Sequence, residues 1–431
     1  MGSIVVPYGP VQQAFTEQPQ AVHDTVDAAA TAVAGGDPAE RAHLIAQWHQ
    51  AIADLEAADH GTGILSTPQN ALASRVQTLL ARNAAATGKI ETVIPTRQVK
   101  TDAGTSDALE TVQVKFDNND LIGWLGTGLL IIFKPEKAPW LEPPAIPEAI
   151  PDDVTLALFS DWGTGLYGAP VIANTIRKLP RCDIALHLGD TYYSGTGDEV
   201  TDRLTGDWPV RPGTLNRALN GNHEMYSGGQ GYFAALSSFF KQSSSCFAMQ
   251  NASWLILGLD TAYNDFDLDQ SQVDWATKLI AAAGVRKVIL CSHHQPFSTL
   301  DAQGPNLQAA LGPLLDQQRI TAWFFGHEHR LMVYEPHHKW GVKARCIGHG
   351  GFPAFRDTDI GAGGNIYKWI HMHSRPYAPE ASLLDGPNFW VTADPNQYSP
   401  HGYVFLELKG STAWETYRTP DNIAVSERWQ L

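Results

Sequence analysis

Cysteine is scarce in this sequence: the four residues lie far apart, and no two of them form a CxxC pair. The chain therefore has neither the spacing of a thiolate zinc site nor a dense disulfide framework. Charged residues make up only 17% of the chain, and the net charge is −15. Because like charges repel, we expect the protein to bind neither a nucleic-acid backbone nor an anionic membrane surface.

Long hydrophobic runs are also missing. The apolar stretch LIGWLGTGLLIIF is too short and too rich in glycine to span a bilayer. The first residues, MGSIVVPYGPVQQ, lack a basic segment followed by a sustained apolar one, so we expect no signal peptide and a cytoplasmic location. Nothing in the sequence indicates the oligomeric state.

The chain is long enough for two domains, since it has 431 residues and 43% of them are apolar. Residues 1–90 show helical periodicity, with a helix start at Asp37 as N-cap and Pro38 in the first helical position. Residues 91–150 hold short β-like runs and the segment KPEKAPWLEPPAIPEAIPDD, whose proline content is typical of an extended linker or a strap across a surface. We place the boundary there, so that residues 151–431 form the main domain.

From Val154 onward, short apolar runs alternate with helical patterns, which predicts βαβ units. Runs such as VTLALFS, CDIALHL and RKVILCS are apolar on both faces, as in sheets that are covered on both sides. The stretch from Phe352 to Gly402 is rich in aromatic residues, glycine and proline but has little periodicity. We expect it to be an ordered, loop-rich insertion beside the functional site.

Five of the predicted strands end in side chains that bind metals or exchange protons. The end segments are DWG, GDTYY, NGNHE, HHQP and GHEH. The residues concerned are Asp161, Asp190, Tyr193, Asn222, His223, His293, His294, His327 and His329. A single aspartate after a strand commonly caps the next helix, but five such strand ends in order are not expected by chance. Sites in α/β sheets form beyond the carboxyl ends of strands, so we expect these residues to meet.

The chemistry of these side chains indicates a metal site. Hard oxygen ligands mixed with imidazoles, without a thiolate, favour iron, manganese or zinc over copper(I). Seven of the nine residues can serve as metal ligands. Seven ligands are more than one ion needs, so the set suits two metal ions that share a carboxylate.

The order DxG, GDxxY, GNHE, His-x-Pro and GHxH resembles the calcineurin-like metallophosphoesterase superfamily, and within it the purple acid phosphatase branch. The resemblance covers about residues 154–430. The superfamily has DxH as its first motif, whereas here Gly163 replaces that histidine and Tyr193 is present in the second motif. The resemblance implies an α+β fold, a four-layer αββα sandwich, preceded here by the N-terminal helical region.

The resemblance also implies the roles of the site residues. The first metal position, which suits iron because a phenolate is a hard anionic ligand, has four ligands: Asp161, Tyr193, His329 and the shared Asp190. The second position, for a divalent iron, manganese or zinc ion, also has four ligands: Asp190, Asn222, His294 and His327. His223 matches the residue that contacts the substrate phosphate and protonates the leaving group.

Three assignments keep an alternative. The His-x-Pro pattern makes His294 the ligand and His293 a neighbour on the substrate side, but a slip of one residue would reverse them, because adjacent strand side chains point to opposite faces. Tyr193 could instead be a packing aromatic, with Tyr192 as its neighbour in the core. His349 follows another strand end and either lines the substrate pocket or has a structural role.

The function implied by the resemblance is metal-dependent hydrolysis of a phosphorylated small molecule. A metal-activated hydroxide would attack phosphorus in line, without a covalent enzyme intermediate. A phosphomonoesterase is favoured. A phosphodiesterase or nucleotide hydrolase is the alternative, since the motifs determine the metals and not the leaving group. A non-catalytic scaffold is disfavoured, because it would have no reason to keep every ligand.

Overall fold

The structure is a computed structural model of the 431-residue chain. It describes the following residues: 37–39, 41–42, 45–46, 100–101, 104–105, 136–165, 168–192, 194–300, 304–354, 356, 364–390, 396 and 398–431. At Asp37, the side-chain Oδ1 accepts the backbone N–H of Ala39 at 2.8 Å, so Asp37 caps a helix as the sequence predicts. Residues 38–39, 41–42 and 45–46 are helical as well, and the rest of the predicted N-terminal helical region lies outside the described residues.

The strands are numbered here in chain order. Their bounds are β1 Lys100–Thr101, β2 Gly104–Thr105, β3 Glu148–Ala149, β4 Asp153–Phe159, β5 Ile184–His187, β6 Leu215–Ala218, β7 Phe247–Gln250, β8 Trp254–Leu259, β9 Lys287–Ser292, β10 Ala322–Phe325, β11 Leu331–Tyr334, β12 Lys343–Ile347, β13 Lys368–Met372, β14 Ala381–Asp385, β15 Tyr403–Lys409, β16 Thr412–Arg418 and β17 Trp429–Gln430. The apolar runs VTLALFS, CDIALHL and RKVILCS coincide with β4, β5 and β9.

Two large sheets contain nearly all of these strands. The nine-stranded sheet has the order β13-β14-β11-β12-β10-β9-β8-β7-β3, and the six-stranded sheet has the order β17-β16-β15-β4-β5-β6. Strands β8, β9, β10 and β12 are parallel neighbours, and so are β4, β5 and β6. Parallel neighbours end at the same edge of a sheet, which brings the loops that follow them together.

The helices are short and follow these strands. Their bounds are α1 Gly168–Lys178, α2 Gly197–Glu199, α3 Asn222–Met225, α4 Gln230–Ala235, α5 Gln270–Ala282, α6 Pro305–Ala310 and α7 Gly312–Asp316. π-Helical turns extend α2 over Val200–Thr205 and α4 over Leu236–Phe240. Within the described part of the chain, no helix has both the length and the apolar character needed to cross a membrane.

Three hydrophobic clusters separate four layers. The middle cluster lies between the sheets and joins Leu156 and Leu186 of one sheet to Ile256 and Phe324 of the other. The second cluster packs α5, α6 and α7 on the outer face of the nine-stranded sheet, and the third packs α1 and α4 on the outer face of the six-stranded sheet. This αββα arrangement confirms the predicted fold class.

The proline-rich segment is a strap on the main domain. The backbone N–H of Ala138 donates to the carbonyl of Gly228 at 2.8 Å, and the Trp275 indole donates to the carbonyl of Pro144 at 2.7 Å. The strap then adds β3 to the edge of the nine-stranded sheet. Its prolines suit this path, because extended backbone at a sheet edge tolerates missing N–H donors.

The stretch from Phe352 to Gly402 contains a β-hairpin that the sequence did not predict. Strands β13 and β14 form an antiparallel hairpin that extends the nine-stranded sheet beyond β11. Trp369 in β13 packs against Tyr417 and Trp429. Flanking loops remain on either side of the hairpin. Its strands are short and broken by polar residues, so the alternation of apolar and polar residues was too weak to predict them from the sequence.

Candidate metal centre

The ends of parallel strands from both sheets meet at one buried cluster. Strands β4, β5 and β6 lead to Asp161, Asp190 and Asn222, while β9 and β10 lead to the histidines. The residues of this cluster are at most 5% exposed, and they are Asp161, Asp190, Asn222, His223, His293, His294, His327 and His329. Of the predicted residues beside this cluster, only Tyr193 lies outside the described residues.

One half of the cluster is built around the carboxylate of Asp161. The hydroxyl of Tyr192 lies 2.9 Å from Asp161 Oδ1, 3.3 Å from Asp190 Oδ2 and 2.8 Å from His329 Nε2. His329 Nε2 lies 3.2 Å from Asp161 Oδ1. Two carboxylate oxygens, one phenol oxygen and one imidazole nitrogen therefore converge on a single point.

The other half is built around His293. Its Nε2 lies 3.0 Å from Asn222 Oδ1, 3.1 Å from His327 Nδ1 and 3.3 Å from Asp190 Oδ1. Asp190 thus offers Oδ2 to the first group of atoms and Oδ1 to the second. Asp190 therefore belongs to both groups of donor atoms.

Tyr192 adds a phenol that the sequence analysis did not assign to the site. The GDxxY spacing favoured Tyr193, which lies outside the described residues and stays a prediction, and treated Tyr192 as its core neighbour; the structure places the Tyr192 hydroxyl beside Asp161 and His329. The only signal in the sequence was the presence of two adjacent tyrosines. Burial, and then the charge of Asp161, raise the pKa of Tyr192 well above its usual value, so this phenol stays protonated without a nearby cation.

Both adjacent histidines lie in the cluster: the ligand atoms of His293, His294 and His327 all lie within 4.8 Å of one another, so the choice between His293 and His294 as ligand stays a prediction. His293, and not His294, places its Nε2 among Asp190, Asn222 and His327. His294 lies beside them, with its ring centroid 4.6 Å from that of His327. Both residues follow Ser292, the last residue of β9, so the strict alternation of a strand no longer decides where their side chains point.

Backbone carbonyls orient both imidazoles. His293 Nδ1 lies 2.9 Å from the carbonyl oxygen of Leu188, and His294 Nδ1 lies 3.0 Å from that of Thr261. A ring nitrogen that donates to a carbonyl carries the proton, which leaves the other nitrogen with a free lone pair. Thr261 follows β8, so this strand also contributes to the cluster, although no motif marked its end.

The backbone itself is unusual at the candidate ligands. Asp161, Asp190, His327 and His329 all have positive φ, between 50° and 76°. They make up four of the nine such non-glycine residues in the described part of the chain. This conformation costs about 1–3 kcal/mol per residue and is found mainly at functional sites. The turns it produces redirect these side chains toward one another.

Close approach of the chain requires glycine at two positions of the motifs. A Cβ on Gly221, which precedes Asn222, would lie 2.2 Å from Asp190 Oδ1. A Cβ on Gly326, which precedes His327, would lie 2.5 Å from Asp161 Oδ2. The absence of side chains at these glycines keeps space around both carboxylates.

His223 lies at the edge of the cluster. Its backbone N–H donates to Asp190 Oδ1 at 3.1 Å, and its Nε2 lies 3.9 Å from Asp190 Oδ2. The ring is held between two phenols, with centroid distances of 4.5 Å to Tyr192 and 4.7 Å to Tyr226. His349 is buried after β12, and burial lowers its pKa to about 4; its predicted role toward the substrate stays a prediction.

The residues present fit metal ions. Burial alone would raise the pKa of Asp190, but His293 and His223 outweigh it and lower that pKa, so the carboxylate is ionised. Burial lowers the pKa of His294, so its ring is neutral. The buried Nε2 atoms of His294 and His327 have no hydrogen-bond partner. Buried anions and unpaired imidazole nitrogens are costly unless a cation binds them.

Comparisons with known proteins indicate the same family as the motifs. Residues 154–331 match the family model described as calcineurin-like phosphoesterase. Tartrate-resistant acid phosphatase type 5 from Sus scrofa is 25% identical over 300 residues, which cover 59% of this chain and 84% of that protein. The Homo sapiens protein of the same name is 24% identical over 253 residues, covering 48% of this chain and 76% of that protein.

Among solved structures, a purple acid phosphatase from yellow lupin seeds has a TM-score of 0.49 and 16% identity. The match covers 67% of this chain and about half (54%) of the lupin chain. The family match and the acid phosphatase relatives confirm the resemblance drawn from the motifs. We conclude that residues 154–331 form a calcineurin-like phosphoesterase domain, and that the chain is a metallophosphoesterase similar to the purple acid phosphatases.

Proposed function

We propose that this protein is a phosphomonoesterase of the purple acid phosphatase type with two metal positions that share Asp190. The observation that carries the proposal is the division of its two oxygens, with Oδ2 beside Tyr192 and Oδ1 beside His293. Each oxygen belongs to a separate set of donor atoms. One ion would leave one of these sets without a cation.

The first position would be formed by four residues: Asp161, Asp190, Tyr192 and His329. We assign iron to it, because two carboxylates and a phenol are hard oxygen donors. The second position would be formed by Asp190, Asn222, His293 and His327, with the unpaired Nε2 of His294 beside them. This mixture of oxygen and imidazole donors suits divalent iron, manganese or zinc. When bound, such ions lower the pKa of water toward neutrality and polarise the phosphoryl oxygens.

The protein residues would orient the substrate and supply a proton. His223 is fixed from three directions, by Asp190 at its backbone and by Tyr192 and Tyr226 at its ring. A histidine held beside the phosphoryl group can deliver a proton from a ring nitrogen to the departing alkoxide. Until it transfers this proton, the His223 ring would lie close to the developing negative charge and stabilise it.

The substrate would be a small phosphoester, with the monoester favoured over the diester by the similarity to acid phosphatases. The test is hydrolysis of 4-nitrophenyl phosphate against bis(4-nitrophenyl) phosphate, with metal content measured on the same sample. We expect two metal ions per chain, faster turnover of the monoester and no turnover by Asp190→Asn.

Faster turnover of the diester would instead favour a phosphodiesterase on the same metal positions. A protein that carries two metals but hydrolyses neither ester would contradict the proposed catalytic function and support a role as a non-catalytic scaffold. His223→Ala should lower turnover about 100- to 10,000-fold with both metals retained, given the typical share of acid–base catalysis. Loss of a metal in that variant would contradict the role given to His223.

A further inference from the structure

The loop that follows β8 holds a phenylalanine in an unfavourable backbone conformation. Asp265 and Phe266 are consecutive residues with φ values of 54° and 68°. Positive φ is a genuine outlier for a bulky side chain, so the surrounding structure must impose it. Outliers of this kind are concentrated at functional sites, and the position of Phe266 therefore needs an explanation.

A network of hydrogen bonds imposes this conformation. Asp260 Oδ1 accepts the backbone N–H groups of Ala262 and Tyr263 at 3.0 and 2.9 Å. The carbonyl of Ala262 then accepts the N–H of Asp265 at 3.1 Å, and the carbonyl of Thr261 accepts the N–H of Phe266 at 3.0 Å. The carbonyl oxygen of Thr261 also faces His294 Nδ1, so one carbonyl connects Phe266 to the buried cluster of candidate ligands.

The Phe266 ring lies directly on the histidines of that cluster. Its centroid is 4.0 Å from that of His294 and 5.4 Å from that of His327. These two imidazoles are fully buried, whereas Phe266 is partly exposed. The ring therefore adjoins the second metal position on its inner side and solvent on its outer side.

A second partly exposed ring contacts the first metal position. Phe352 stacks on His329 at 4.1 Å and lies 4.8 Å from Tyr192. Its backbone N–H donates to the carbonyl of Asp161 at 3.0 Å, so any backbone shift in a Phe352 variant would reach a candidate ligand directly. Phe266 has no such backbone connection to a ligand aspartate in the described structure, which makes it the better residue to test.

We propose that Phe266 is a specificity-determining residue that receives the leaving group of the phosphoester and favours leaving groups with an aromatic ring. The inference rests on the proposed function, because the phosphoryl group must bind at the buried ligands. The leaving group then extends toward solvent and passes the partly exposed ring. A phenyl face offers stacking to another ring, whereas it offers no charge to a polyphosphate and little contact to a short alkyl group.

The test measures binding of phenylphosphonate and methylphosphonate to the metal-loaded full chain. The two probes carry the same phosphonate group and cannot lose a leaving group, so their affinity ratio reports the contact with the ring. We expect wild-type protein to prefer phenylphosphonate. Phe266→Leu should reduce this preference about 2- to 12-fold with methylphosphonate affinity unchanged, while Phe266→Tyr should keep it.

Phe389→Leu provides the matched control. Phe389 is an exposed phenylalanine, and its ring packs on Tyr367, which precedes β13, rather than on a histidine of the cluster. This variant should leave the affinity ratio unchanged, and all variants should keep their metal content. An unchanged ratio in Phe266→Leu would overturn the proposal, and so would an equal loss of both probes, which would mean that Phe266 only supports His294.

The phosphonate test and the test of the proposed function can fail independently of each other. A protein that binds both phosphonates with a Phe266-dependent ratio, yet hydrolyses no monoester, would contradict the phosphomonoesterase assignment and still support the binding role of Phe266. Hydrolysis of monoesters with no phenyl preference would support the assignment and overturn the role of Phe266.

Discussion

The side-chain amide of Asn222 donates to the hydroxyl of Tyr226 at 2.7 Å, and this bond determines which way the amide points. With the nitrogen engaged, the amide oxygen faces His293 Nε2 at 3.0 Å. An amide offers two donors on nitrogen and acceptor lone pairs on oxygen, and only the oxygen suits a metal ion. Tyr226 therefore orients the Asn222 oxygen toward His293.

Tyr226→Phe should weaken the second metal position and leave the first unchanged. Removing the acceptor hydroxyl lets the amide turn its nitrogen toward the metal, and loss of such an outer hydrogen bond typically costs about 10- to 100-fold in metal affinity. Titration of metal-free protein, followed by elemental analysis, measures this loss. Tyr232→Phe is the control, because the Tyr232 hydroxyl is also buried but donates to the carbonyl of Ala218. Equal metal loss in both variants would mean a general loss of stability.

Two tyrosines compete for the role of phenol ligand. Motif spacing predicts Tyr193, whereas the hydroxyl of Tyr192 lies among Asp161, Asp190 and His329. A phenolate bound to ferric iron absorbs visible light, so iron-loaded protein should be pink to purple. Tyr192→Phe should remove this absorption, and Tyr193→Phe should retain it. The opposite pattern in the visible spectra would return the role to Tyr193, and loss of colour in neither variant would refute a phenolate ligand.

The adjacent histidines make a second matched pair. His293→Ala removes the nitrogen that lies nearest to Asn222, Asp190 and His327, so it should lower the metal content from two ions to one. His294→Ala leaves those contacts in place and should retain both ions with a smaller change in affinity. Metal analysis of the two variants after identical loading gives the answer. Loss of an ion only in His294→Ala would restore the assignment favoured by the His-x-Pro spacing.

The cluster was predictable in part because its motifs are local. An apolar run followed by Asp161, Asp190, Asn222 or the GHEH segment marks a strand end, and parallel strands bring their ends together. The choice between adjacent residues could not be made in this way. Positive φ at Asp190 turns the chain just before the two tyrosines, and both histidines lie beyond the last residue of β9. One-residue assignments therefore depend on turns that the sequence does not specify.

Residues that contact the cluster but belong to no motif could not be predicted either. Thr261 and Phe266 follow β8, but neither has the spacing or residue type of a recognised motif, and they act through a backbone carbonyl and a ring face. The hairpin of β13 and β14 was missed because its stabilisation comes from pairing with β11 and from packing on Tyr417 and Trp429. These are tertiary contacts, and the preference of a residue for strands depends largely on such contacts.

The space left by Gly326 supports a last prediction. A Cβ at this position would lie 1.9 Å from Ser160 Oγ and 2.5 Å from Asp161 Oδ2, and Ser160 Oγ donates to that same oxygen at 2.8 Å. Gly326→Ala must therefore displace both side chains. We expect it to lower the free energy of unfolding by about 1–3 kcal/mol, as overpacking does, and to weaken the first metal position.

Gly312→Ala separates this effect from a general cost of adding a methyl group. Gly312 lies in α7, and a Cβ there would have no atom within 4 Å, so alanine should be neutral or slightly stabilising in a helix. Thermal unfolding of metal-free protein measures the packing cost, and metal titration measures the effect on Asp161. If Gly326→Ala were as stable as Gly312→Ala and bound both metals normally, the close approach of Gly326 to Asp161 would not be needed to shape the metal centre.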